Sequence, residues 1–166
     1  ADATKLESFV FHSLDRKVCN TLNTFCVVRS RAAEGVRVFL SALKKAGELH
    51  GQAFKLHVVE GSKQYVLPEL FGKKVSVARP EGLVEELQAE LLRKEELGRE
   101  WEWEETPEVT LMVVESVSEA ITLFNKYSPQ FVASLISEDQ DEQERFYKKI
   151  NAPFIGNGFT RWVDGL

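Results

Sequence analysis

Cys19 lies in the run Asp15-Arg16-Lys17-Val18-Cys19-Asn20-Thr21-Leu22-Asn23-Thr24, directly before the apolar stretch Phe25-Cys26-Val27-Val28. A thiol ahead of a buried strand, with Asn20 beside it and Arg16 three positions upstream, has the setting of a nucleophile. The thiolate is the attacking form, so such a site must lower the thiol's pKa or present a base. Spacing alone does not decide the role, because a lone cysteine is more often a small apolar residue. Cys26, inside the apolar stretch, reads as a core residue and an unreactive thiol.

A second cluster closes the chain. Asn157-Gly158-Phe159-Thr160-Arg161-Trp162-Val163-Asp164-Gly165 follows the short apolar run Pro153-Phe154-Ile155-Gly156, which reads as a last strand. In open α/β sheets ligands collect at the carboxyl ends of strands, and an arginine offers a planar fork matched to carboxylate or phosphate. Taken alone, Arg161 and Asp164 at i, i+3 are more often a local ion pair.

The elements that must position these residues follow from periodicity. Thr24 to Val28 predicts a short buried strand. Val36, Phe39, Leu40 and Leu43 fall on one helix face, with Gly47 near the helix end. Phe54 to Val59 suits a strand entering a sheet, and Val75-Ser76-Val77 a shorter one. Leu83, Val84, Leu87, Leu91 and Leu92 trace a helical stripe ending at Gly98. Val109 to Val114 is a central-strand candidate. Ser116 with Glu119 reads as a capping box opening a helix with Val117, Ala120, Ile121 and Phe124 on its buried face. Phe131 to Ile136 predicts another strand. A second box, Ser137 with Gln140, predicts the helix that carries Phe146 and Ile150. Strands alternating with helices imply an α/β fold, an open, twisted, mostly parallel sheet with helices on both faces. No repeat or linker interrupts it, so residues 1–166 read as one domain.

Bulk properties narrow the class. A chain of 166 residues with 43% hydrophobic and 28% charged content describes a globular domain with a core. No apolar run approaches the roughly 20 residues of a spanning helix, and Ala1-Asp2-Ala3-Thr4-Lys5 lacks signal-peptide character. The net charge of −5 argues against nucleic acid as a partner. Acidic residues between Glu81 and Glu108 read as a solvated helix face and loop. His12, His50 and His57 are scattered and give no zinc spacing. Two cysteines seven positions apart suit a reducing, cytoplasmic compartment rather than a disulfide framework.

Taken together, the two ends resemble one family. Arg16, Val18, Cys19, Asn20 and Thr24 resemble the catalytic-cysteine segment R-P-x-V-C-N-x-x-E-T of γ-glutamyl phosphate reductases. These enzymes are a branch of the aldehyde dehydrogenase superfamily and make glutamate 5-semialdehyde for proline synthesis. Lys17 stands in place of the motif's proline and Asn23 in place of its glutamate. Val113-Val114-Glu115-Ser116-Val117-Ser118-Glu119-Ala120-Ile121 is similar to the family's V-V-D-S-L-D-E-A-I, and Asn125-Lys126-Tyr127 follows in step. Asn157-x-x-Thr160-Arg161-Trp162-x-Asp164-Gly165 resembles N-A-S-T-R-F-x-D-G. The motifs fall in order and extend from about Phe11 to the last residues.

The resemblance implies that Cys19 attacks an activated acyl carbon to form a thioester, which a hydride from NADPH (or NADH) then reduces to an aldehyde. Asn20 would sit beside the nucleophile, and the backbone N–H of Cys19 would donate to the oxyanion. Arg16, Asn157, Thr160, Arg161 and Asp164 would form the binding set for a small anionic acyl substrate. Glu102 and Glu104 are both candidates for the carboxylate that meets the nicotinamide ribose. The chain has no Gly-rich dinucleotide turn after a strand. The main nucleotide contacts are therefore expected from a separate domain, and the piece is expected to fold without turning over. Homo-oligomers are expected of the full-length protein, and no metal or membrane contact.

Two departures keep other readings open. Where the family has a turn of the form G-S-H-H-T-E-A-I, this chain reads Ser128-Pro129-Gln130-Phe131-Val132-Ala133-Ser134-Leu135, and Phe159 replaces a small serine. One alternative is an aldehyde or acyl dehydrogenase of the same superfamily with another substrate. The other is a non-catalytic α/β interaction domain with Cys19 as a bystander.

Overall fold

The computed structural model describes residues 2–14, 21–128 and 132–156. A first helix, α1 (Ala3–His12), was not signalled by the periodicity; Asp2 caps it by accepting from the Thr4 N–H at 3.0 Å. Then come β1 (Thr24–Val28), α2 (Ala32–Leu49) and β2 (Lys55–Val59), at the positions the sequence predicts. A hairpin of β3 (Lys74–Arg79) and β4 (Gly82–Leu87) leads into β5 (Ala89–Leu92) and β6 (Glu108–Val114). The chain continues with α3 (Val117–Tyr127), β7 (Val132–Ser134), α4 (Gln140–Lys149) and β8 (Phe154–Gly156).

The main sheet has the order β1-β6-β2-β5, and every neighbouring pair in it is parallel. β6 is central and buried along its whole length. Because side chains alternate across a strand, the two faces of the sheet separate cleanly. Leu56, Val58, Val109, Leu111 and Val113 pack with Phe39 and Leu43 of α2 on one face, with α1 beyond. Val59, Met112 and Val114 pack with Leu123 of α3 on the other. The fold is thus α/β, a mostly parallel open sheet covered on both faces. No described helix is long and apolar enough to cross a membrane.

Several expectations are corrected. The stripe from Leu83 to Leu92 is two strands, β4 and β5. Pro80 and Glu81 form the tight connection, and Gly82, at φ +120°, takes a backbone conformation that favours glycine. A helix would have buried Leu83 and Leu91 together, whereas both are exposed and Glu86 turns inward to pair with Arg79. The acidic run is exposed over most of its length, as expected, but on strands and loop rather than a helix face, and Glu86, Glu90 and the buried Glu108 enter an ion-pair network. At α4, the cap is Asp139, which accepts from the Glu142 N–H at 3.1 Å, while Ser137 donates to the Glu142 side chain. Aspartate outcompetes the serine two residues earlier because it stands at the position whose carboxylate reaches the free N–H groups. Ser116 does cap α3, but Glu119 returns its bond to the Glu115 N–H rather than to Ser116.

β7 is shorter than predicted, since Leu135 and Ile136 leave the ladder after one further bond, Leu135 N–H to the Gly156 carbonyl. β7 and β8 pair in parallel with each other and form a separate two-stranded sheet, packed on α3 and α4 through Ile121, Ala133, Phe146 and Ile150.

Candidate active site

Between β1 and the β7–β8 pair lies a cleft of about 1190 Å³. β1 is the edge strand of its sheet, and of its five residues only Val27 is buried. Thr21, two residues after Cys19, and Gly156, one residue before Asn157, both line this cleft. The flanks of the two sequence clusters therefore open onto the same space. Cys19, Asn20, Arg16, Asn157, Thr160, Arg161 and Asp164 themselves lie outside the described residues, as does Phe131.

Cys26 lies on β1, but it is not the core residue its apolar setting predicts: it is exposed and borders the cleft. β1 has a neighbour on one side only, so the strand that looked buried in the sequence keeps one flank open. The protein walls of the cleft still desolvate the sulfur, and with a smaller contribution from the Glu119 charge they push its pKa up to about 12. A thiol held protonated is a poor nucleophile.

The two candidate ribose-binding carboxylates stand in different surroundings. Glu102 lines the cleft, is exposed, and has no hydrogen bond or ion pair among the described residues. Glu104 does not line it and is engaged in interactions of its own. A free carboxylate on a cleft wall can accept from ribose hydroxyls, so the donor set fits that part of a nucleotide. A wider set of residues, missed by the motif reading, builds this wall. Asn23 bridges to Arg99 and Trp101, and the Trp101 ring stacks on His57 with centroids 3.6 Å apart. Gly98 precedes them, and any Cβ there would collide with the Tyr127 carbonyl oxygen, so the segment presses against the end of α3.

Behind His57 the polar side of the sheet carries fixed charge. Glu108 Oε1 stands 2.7 Å from His57 Nε2, and Arg79 reaches the same carboxylate at 2.8 Å while forking onto Glu86 through two 2.8 Å bonds. Lys55, fully buried, donates to the Leu87 carbonyl at 2.6 Å and pairs with Glu90 at 2.5 Å and Glu86 at 3.2 Å. Burial opposes ionisation of Glu108, yet His57 and then Arg79 hold its carboxyl below the usual range. The Arg79 bonds, with help from Lys55, bring Glu86 down to about 2. The sequence signal for this layer was the alternation Lys55-Leu56-His57-Val58, which puts two polar residues on one face.

No family model matches the chain. Curated relatives do, among them two named γ-glutamyl phosphate reductase. The one from Oceanobacillus iheyensis is 35% identical over 70 residues, 41% of this chain and 17% of the relative. The one from Listeria welshimeri is 34% identical over 81 residues, 46% of this chain and 20% of the relative. The matched segments thus span a fifth or less of those proteins. Among solved structures, γ-glutamyl phosphate reductase from Thermotoga maritima superposes with a TM-score of 0.70 at 18% identity, covering 96% of this chain and 32% of that one. An NAD-dependent benzaldehyde dehydrogenase from Corynebacterium glutamicum gives 0.55 at 15% identity, covering 96% of this chain and 38% of that one. The chain is therefore partially homologous to γ-glutamyl phosphate reductases and has the fold found in that enzyme and in aldehyde dehydrogenase relatives.

Proposed function

We propose that the natural polypeptide carrying this sequence is a cytoplasmic, NADP-dependent reductase (NAD being the alternative nucleotide) that converts γ-glutamyl phosphate to glutamate 5-semialdehyde. In this reading residues 1–166 are its catalytic domain, and a separate domain makes the main nucleotide contacts. The observation that carries the proposal is the double likeness to γ-glutamyl phosphate reductase, in sequence over two-fifths of the chain and in fold over nearly all of it.

The Cys19 thiolate attacks the acyl carbon. The C–O bond to phosphate breaks, and phosphate leaves with the electron pair. The Cys19 N–H stabilises the oxyanion that forms on the way, with Asn20 beside the nucleophile. The nucleotide supplies the hydride that reduces the thioester carbon; cleavage of the C–S bond then releases the aldehyde and returns the thiolate. Thr160 and Arg161 bind the anionic groups of the substrate, with Arg16, Asn157 and Asp164 completing the set. Glu102 holds the nicotinamide ribose.

A second reading, an acyl or aldehyde dehydrogenase of the same superfamily acting on a less polar group, is favoured by one feature. Phe25, Phe124, Phe146 and Phe154 all line the cleft. Kinetics on the natural polypeptide in full separate the two. Cys19→Ser should abolish reduction and leave the circular dichroism unchanged. Arg161→Ala should raise KM for the acyl phosphate far more than for a neutral aldehyde. Activity surviving Cys19→Ser overturns the thioester route, and equal KM effects on both substrates favour the less polar one.

A further inference from the structure

We infer that Asn23 is the positioning residue for Glu102, acting through the backbone of Arg99–Trp101; this rests on the reading above, in which Glu102 meets the nucleotide ribose. The segment that carries Glu102 offers Asn23 one acceptor and one donor. Asn23 Nδ2 donates to the Arg99 carbonyl at 3.0 Å, and Asn23 Oδ1 accepts from the Trp101 N–H at 2.8 Å. An amide presents both kinds of group on one planar end, whereas a carboxylate can only accept. Asn23 is itself fixed to the sheet, because its carbonyl accepts from the Thr110 N–H of the central strand at 2.9 Å.

Trp101 extends the grip. Its indole Nε1 donates to Thr110 Oγ1 at 2.7 Å, His57 stacks at an interplanar angle of 5°, and the Arg99 guanidinium lies 4.8 Å from the ring centroid. Backbone and ring are thus held from several directions, and Glu102, the next residue, projects an unpaired carboxylate onto the cleft wall. A group held in its binding position before the ligand arrives loses less freedom on binding. Asn23 therefore sets the affinity for the nucleotide rather than for the acyl substrate.

The test measures both Michaelis constants on the natural polypeptide in full, for wild type, Asn23→Asp, Glu102→Gln and the double variant, with thermal melts alongside. Asn23→Asp keeps the acceptor and loses the donor. We expect it to raise KM for the nicotinamide nucleotide about tenfold, equivalent to ~1.4 kcal/mol, with KM for the acyl substrate changed less than about twofold. In the Glu102→Gln background it should add little, because both changes act through one contact. Thr110→Val, which removes the indole's acceptor, should move the same constant in the same direction. A rise in both constants alike, or full additivity with Glu102→Gln, overturns the positioning role and leaves the functional reading standing. A wild type that reduces neither acyl phosphate nor aldehyde overturns that reading, and this inference with it.

Discussion

The two faces of the four-stranded sheet are held by different physics. On the α2 face, Phe39, Leu43, Leu56 and Leu111 are fully buried, and Phe39 stacks on Phe25 with ring centroids 4.4 Å apart. On the other face, Val59, Met112 and Val114 pack on α3 at one end. Beneath the β3–β4 hairpin the buried Lys55 and Glu108 are paired by charge with Arg79, Glu86 and Glu90, and His57 is hydrogen-bonded to Glu108. The apolar face gains from removing area from water, and its loss on mutation follows cavity size. The charged face stays intact only while every partner is present, because an orphaned buried charge costs more than the pair contributes. The second face also touches the candidate site, through the His57–Trp101 stack beside Glu102.

Substitutions on each side sharpen this contrast. Phe39→Ala should have the largest effect, destabilising the fold by about 4 kcal/mol in urea denaturation, as expected for an aromatic removed from a closed core. Glu108→Ala should cost about 3 kcal/mol by leaving His57 and one side of Arg79 unpaired. Combining it with His57→Ala should cost less than the sum of the two single changes, whereas Phe39→Ala should add to Glu108→Ala in full. If the charged pair adds like the apolar one, the network is not cooperative.

Acid provides a smaller test of the same face. Arg79 depresses the folded-state pKa of Glu86 to about 2 from the ordinary 4.5. A depressed carboxyl stabilises the fold above its unfolded pKa, and that stabilisation is lost as pH falls from about 4.5 through about 2. Discounted for the partial exposure of Glu86, the loss should be about 2 kcal/mol. Denaturation of wild type and Glu86→Gln across that window checks it: their stabilities should converge toward pH 2, and a constant gap would contradict the assignment.

The sequence made the apolar face legible and the charged face nearly invisible. Val109 to Val114 could hardly be anything but a central strand, and Val36, Phe39 and Leu43 mark their helix because burial there depends only on period. The hairpin failed for the opposite reason. Leu83 and Leu91 look like core residues but are exposed, and the inward position belongs to Glu86, whose partner Arg79 is identified only once the chain has turned at Gly82. Cys26 misled similarly: an apolar run implies burial, but an edge strand has an open flank that local sequence does not announce. At the site, the family motifs marked Cys19 and Arg161 from two ends of the chain. Asn23 and Trp101 escaped attention because their roles arise from hydrogen bonds between residues 78 positions apart.

The most direct test of the account compares the two thiols. The natural polypeptide is treated with iodoacetamide at neutral pH, and alkylation of Cys19 and Cys26 is followed by peptide mass spectrometry, with and without a γ-glutamyl phosphate analogue. The account predicts that Cys19 reacts faster than a free thiol and is protected by the analogue, while Cys26 stays unmodified. Cys19 reacting no faster than a free thiol, with no protection, would contradict it.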